Sequence, residues 1–128
     1  MLRKNFFPLF IILLLFYSGF GYSQPITWYR IWGLPGYERG EQGKRVCQTF
    51  DCGYAVLAEV SNISYEWFDL LKYDYLGNLQ WVKLIIDSTS TSKLLIDMQQ
   101  TSDSGFIFAG FTSGQGALLI KIDKFGNL

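Results

Sequence analysis

Chemistry in this chain would have to come from carboxylates, aromatic rings or two thiols, because its 128 residues include no histidine. Without His, nucleophilic catalysis of the Ser-His-Asp or Cys-His kind is excluded in its usual form. Two cysteines alone are a poor start for a metal site. Paired carboxylates can run glycoside hydrolysis, one as acid and one as base or nucleophile. Asp51, Glu59, Glu66, Asp69 and Asp103 are the candidates, and nothing in their spacing selects two of them. The cluster Trp28, Tyr29, Trp32 and Tyr37 offers flat apolar faces with polar tips, suited to a carbohydrate or protein partner. Trp32 and Tyr37 fall in a stretch read as a loop without a counterpart, so a binding surface and simple packing both remain open for them. Cys47 and Cys52 flank four residues read as a hairpin turn. A disulfide there is within reach, but its geometry is strict, so a bridge and two free thiols are both open. The Gly-rich run Gly33 to Gly43 lacks the strand-to-helix context of a phosphate-cradling loop. Asn62-Ile63-Ser64 matches a glycosylation acceptor, a short pattern that recurs by chance. No catalytic residue, cofactor site or metal site is assigned.

The N-terminus reads as an export signal. Arg3 and Lys4 precede an apolar run from Phe6 to Tyr17, and Gly21 and Ser23 are small residues suited to a cut near Ser23/Gln24. A spanning helix needs about 20 apolar residues, and this run is shorter. Residues 1–23 are therefore read as a signal peptide, giving a secreted or cell-surface product with no membrane role after cleavage. Cleavage leaves nine cations against eleven acids. That balance argues against nucleic-acid binding, which needs a basic surface to displace counterions. Phe, Tyr and Trp make up 18% of the chain, a composition that favours strands and sheet packing.

Three landmarks recur in order. Trp28 is matched by Trp81, "TFDCGYAVLA" (Thr49 to Ala58) by "TSDSGFIFAG" (Thr101 to Gly110), and "KYDYLGNL" (Lys72 to Leu79) by "KIDKFGNL" (Lys121 to Leu128). The offsets are 53, 52 and 49 residues. Each landmark has a local reason. Leu118, Ile120 and Ile122 alternate with Lys121 and Asp123, as in a strand with one buried face. Asp-x-x-Gly then turns the chain: the carboxylate accepts from the backbone two residues on, and the glycine supplies a left-handed conformation. Asp74 and Gly77, and Asp123 and Gly126, are read as that turn. Asp51 and Gly53, and Asp103 and Gly105, are read as a second turn leading into apolar inner strands. Calcium binding by these aspartates is not expected, since single carboxylates fall far short of six or more oxygens.

The repeating unit is then a Trp strand, a variable loop, a short strand, a Gly turn, an inner strand and an alternating strand. That is four short strands in about 50 residues, the pattern of β-propeller blades. The fold class expected is all-β, with tandem four-stranded antiparallel units amounting to about two blades, an incomplete ring. The units are placed at residues 24–80 and 81–128, the second truncated.

The stretch "TSDSGFIFAGFTSGQGALLIKIDKFGNL" resembles the repeats of secreted bacterial β-propeller-like proteins, with units of the form T-x-D-G-G-Y…K-x-D-x-x-G-N-x-x-W. The resemblance covers residues 28–128. It implies a large surface protein, often with a type IX secretion sorting domain elsewhere. Cys52 and Ser104 stand where that family usually has a second glycine. The resemblance says almost nothing about activity; the residues themselves, with no catalytic constellation among them, read as a non-catalytic scaffold or a protein- or glycan-binding surface. The alternative is a fragment of a propeller enzyme such as a quinone-dependent dehydrogenase, of which "DYLGNLQW" is a faint echo. Stacked repeats need about three units to bury a common core. The chain is thus expected to belong to a longer product, with further repeats of the same protein as its neighbours, or to complete itself by self-association.

Overall fold

The computed structural model describes residues 26–33, 40–62, 64–87 and 93–128. The expected signal peptide and Tyr37 lie outside the described residues. Among the described residues seven strands follow one another: β1 (Gly40–Gln48), β2 (Tyr54–Ser61), β3 (Glu66–Tyr73), β4 (Leu79–Asp87), β5 (Lys93–Gln100), β6 (Phe106–Thr112) and β7 (Gly116–Ile122). They form two antiparallel sheets, β1-β2-β3-β4 and β5-β6-β7, without a closed barrel.

Alternation along the inner strands sets the two faces of each sheet. In the first sheet Leu57 pairs with Leu70 and Ala55 with Lys72, putting one apolar set on one side. Val56 pairs with Leu71 and Tyr54 with Tyr73, putting another on the opposite side. The first set (Ala55, Leu57, Phe68, Leu70, Ile85) packs against Leu95, Met98, Phe106, Phe108 and Ile122 of the second sheet to form the main core. Leu57, Leu70 and Phe108 are completely buried there. The opposite face carries a smaller cluster of Ala58, Leu71 and Tyr73. The non-strand segment 26–33 covers that face through Trp32.

Both predicted turns have the chemistry that their residues suggest. Asp74 Oδ1 accepts from the N–H groups of Leu76 and Asn78 at 2.9 and 2.8 Å, and Gly77 closes the turn at φ 78°. Asp123 repeats this with Phe125 and Asn127, both at 2.8 Å, and Gly126 lies at φ 83°. Asn78 and Asn127 also donate their side-chain amides back to the same carboxylates.

The sheets do not start where the repeats do. The sequence pattern has Trp81 open a second unit, but β4 pairs along its length with β3, so the Trp81 strand completes the first sheet. The boundary between sheets falls between Asp87 and Lys93. The same pattern places its counterpart Trp28 in a strand, yet residues 26–33 hold none. The Gly33 to Gly43 run is also only partly a loop, since β1 begins at Gly40.

Candidate functional site

The residues that recur between the units are brought together at one end of each sheet. In the first, Thr49 donates its hydroxyl to Asp51, and Asp51 Oδ1 also accepts from Gly53 N–H at 3.1 Å. Lys72 Nζ then reaches both carboxylate oxygens of Asp51 at 3.1 and 2.9 Å, the Tyr73 carbonyl at 2.9 Å and Gln80 Oε1 at 3.1 Å. In the second, Thr101 donates to Asp103, and Lys121 Nζ lies 3.0 and 2.8 Å from its oxygens and 3.0 Å from the Ile122 carbonyl. The same staple is built twice: a turn aspartate held by a threonine, a glycine amide and a lysine from the third strand of its unit. Lys72 and Lys121 complete the staple, a role that the alternation along their strands does not reveal. Their recurrence at the same offset as the Asp-x-x-Gly turn was the available signal.

Electrostatics follow from that geometry. Burial pushes the Asp51 carboxyl up, but bonds from Thr49, Lys72 and Gly53 outweigh it and hold the group at about 2. Lys121 above all, with Thr101 and Gly105, holds Asp103 well below the usual carboxylate range. The Asn78 and Asn127 amides do the same for Asp74 and Asp123. Such carboxylates stay ionised and occupied, the opposite of a general acid. Of the other carboxylate candidates, Glu59 is paired with Lys44 at 2.9 Å, and Glu66 and Asp69 are also engaged.

Gly53 and Gly105 serve close approach rather than a left-handed backbone. A Cβ on Gly53 would stand 2.3 Å from the Tyr73 carbonyl oxygen, and one on Gly105 would stand 2.2 Å from that of Ile122. The left-handed positions are Cys52 at φ 64° and Ser104 at φ 66°. Both thiols are free in this structure: Cys47 packs against the main core, whereas Cys52 is exposed in the turn, so they face different surroundings. Burial raises the Cys47 thiol above its ordinary value.

The aromatic residues split into two roles. Trp28 packs edge-on against Tyr54, with centroids 5.4 Å apart and an interplanar angle of 74°, and stacks on Tyr73 at 6.3 Å. Trp81 packs edge-on against Phe106 at 6.4 Å and 78°. Tyr54 and Phe106 are themselves repeat equivalents, so the two tryptophans sit in like surroundings although only one is in a strand. Arg30 anchors the segment: its Nε donates to the Gly77 carbonyl at 2.7 Å, and its guanidinium lies 5.7 Å from the Trp28 ring centroid.

Trp32 lines a cleft of about 200 Å³ with Arg30, Glu41, Gln42, Val56 and Tyr73. This is the described surface that best fits a partner, combining an aromatic face, an acid and an amide at the rim. Trp32 does have a counterpart, contrary to expectation. Ile26-Thr-Trp-Tyr-Arg-Ile-Trp32 runs parallel in type to Leu79-Gln-Trp-Val-Lys-Leu-Ile85, which makes Trp32 equivalent to the buried Ile85. A second cleft, of about 230 Å³, lies between the sheets and is lined by Phe50, Lys72, Gln80, Trp81, Gln100 and Lys124. Comparison of the chain with protein-family models, curated proteins and solved structures gives no match.

Proposed function

We propose that this chain is an exported, non-catalytic β-repeat module that acts as a scaffold and as a binding surface for a protein or glycan. The observation that carries the reading is the doubled staple. Asp51 and Asp103, two of the five candidate acids, are tied by lysine, threonine and a glycine amide into the turns that hold the sheets. Their ionised state suits structural pairing, and neither of these two carboxyls is raised to deliver a proton. The Trp32 cleft is the binding surface, since an aromatic ring beside a polar rim suits sugar rings or an interface core.

Export is tested by N-terminal sequencing of the product found outside the cell, which should begin near Gln24. Retention inside the cell with residues 1–23 intact refutes it. Binding is tested by titrating neutral oligosaccharides and following tryptophan emission. A saturable change that disappears in Trp32→Ala supports the glycan arm. The same change in wild type and Trp32→Ala refutes the placement.

A further inference from the structure

The first sheet shows what a completed unit looks like, and the second sheet lacks two of its features. In the first sheet, Ala55, Leu57 and Leu70 are fully buried under the neighbouring sheet. Their repeat equivalents Ile107, Ala109 and Leu119 lie on the face of the second sheet turned away from the core. Ala109 and Leu119 are exposed there, Leu119 at 68%, and Phe111 beside them is 44% exposed. In the first sheet the edge of β3 is paired by β4. Among the described residues, β7 pairs only with β6 and its other edge is open. An apolar face beside an open strand edge is a template for another chain.

The chain also carries the missing pieces. Residues 26–32 match β4 residue type by residue type, and they lie on the first sheet as β4 lies on the second, with Trp28 on Tyr54 as Trp81 is on Phe106. Yet no backbone–backbone hydrogen bond involves residues 26–33 among the described residues. Tyr29 and Ile31 point outward, 81% and 88% exposed. The segment therefore has the position of a fourth strand without the three strands it would complete.

We propose that a second copy of this chain supplies them: residues 26–32 of one copy pair antiparallel with β7 of another, and the first sheet of the donor covers the Ile107–Leu119 face of the acceptor. The register follows from the intact pair. Asp69↔Leu84, Leu70↔Lys83, Leu71↔Val82 and Lys72↔Trp81 translate, by offsets of 49 and 53, to Leu118↔Ile31, Leu119↔Arg30, Ile120↔Tyr29 and Lys121↔Trp28. The contact repeats the interface already present between the two sheets, so it is continuous with packing that the fold itself displays. Its two halves are different surfaces, which makes it head-to-tail: it closes as a ring or extends as a filament. The proposal deepens the scaffold reading and rests on it, and it makes a second copy, in place of a glycan, the partner that covers the Trp32 face.

The experiment uses the mature chain from Gln24, with Cys47→Ser and Cys52→Ser in every variant. One preparation carries Leu118→Cys and the other Ile31→Cys. Paired antiparallel residues have Cα atoms about 4.5–5.5 Å apart, within disulfide reach. On mixing and oxidation, an interchain bridge joining one copy of each is expected. A Gln115→Cys and Ile31→Cys mixture, out of register, should give little. By sedimentation the unmodified mature chain should at least double its mass with rising concentration, and Leu119→Lys should abolish that gain. A monomer at every concentration with no bridge overturns the proposal, as it would if further repeats of one longer chain fill the β7 edge. Assembly with equal bridging in both mixtures overturns the register and so the strand donation. None of these readouts depends on export or on a glycan, so their failure is separable from failure of the scaffold reading.

Discussion

The doubled staple allows one motif to be tested at two depths within a single molecule. Lys72 and Lys121 make the same bonds to a turn aspartate and to the next carbonyl, but their side chains are 7% and 40% exposed. Truncating one partner of a fully buried pair costs about 3–5 kcal/mol, because the other charge is stranded. Asp51 is 57% exposed and can recover water, which lowers the expectation for Lys72→Ala to about 2 kcal/mol. That figure includes the lysine's bonds to Gln80 and the Tyr73 carbonyl and its packed stem. Lys121→Ala removes a surface pair and should cost about 0.5 kcal/mol. With a urea slope near 1 kcal/mol per M for a chain of this size, the two midpoints should differ by roughly 1–2 M. Urea unfolding of both variants, read by tryptophan emission and by far-UV circular dichroism, measures this. Equal losses, or a larger loss at Lys121, would refute the reasoning that burial rather than motif identity sets the strength of the staple.

The left-handed backbone at Cys52 and Ser104 predicts that Cys52→Gly and Ser104→Gly each stabilise the protein. Relief of about 1–2 kcal/mol of steric cost exceeds the entropy that glycine adds to the unfolded chain, about 0.4–1 kcal/mol. A rise of a few degrees in Tm is expected by calorimetry, while Gly53→Ala should lower Tm sharply because its Cβ meets the Tyr73 carbonyl. The depressed Asp51 carboxyl predicts acid sensitivity of a stated sign. Its folded value of about 2 lies below the usual unfolded value of about 4, so its contribution is fully present above pH 4 and fades between pH 4 and 2. After screening at this exposed position the loss is about 1 kcal/mol. Urea midpoints measured from pH 6 down to pH 2 should show it, and Asp51→Asn should remove much of that slope.

Local chemistry was legible in the sequence, whereas phase was not. The Asp-x-x-Gly-Asn turns, the apolar inner strands and the all-β class follow from residues within a few positions of each other. The position of Trp81 in the sheets does not, because a repeat fixes a period but not where each sheet begins. Only the pairing of β4 with β3, a contact between segments on either side of a turn, puts Trp81 in the first sheet. The same limit hid Trp32, whose equivalence to Ile85 emerges once β4 is seen packing on the next sheet. By residue type alone, Gly53 and Gly105 look like the left-handed members of the second turn. What reserves those sites for glycine is instead a carbonyl from the end of β3 or β7, remote in sequence.

Because Trp81 opens the second stretch of matching sequence while its strand β4 belongs to the first sheet by hydrogen bonding, the period of the sequence and the boundary of the sheets do not coincide. The first sheet is completed by the strand that opens the second stretch. Scission between Asn78 and Leu79 would thus leave β4 clasped to its former neighbour. Severing the link between Asp87 and Lys93 would instead release sheets that share side-chain contacts but no strand pairing. A covalent break between the sheets therefore costs no strand pairing, whereas a break inside the first sheet leaves that pairing to hold the pieces together.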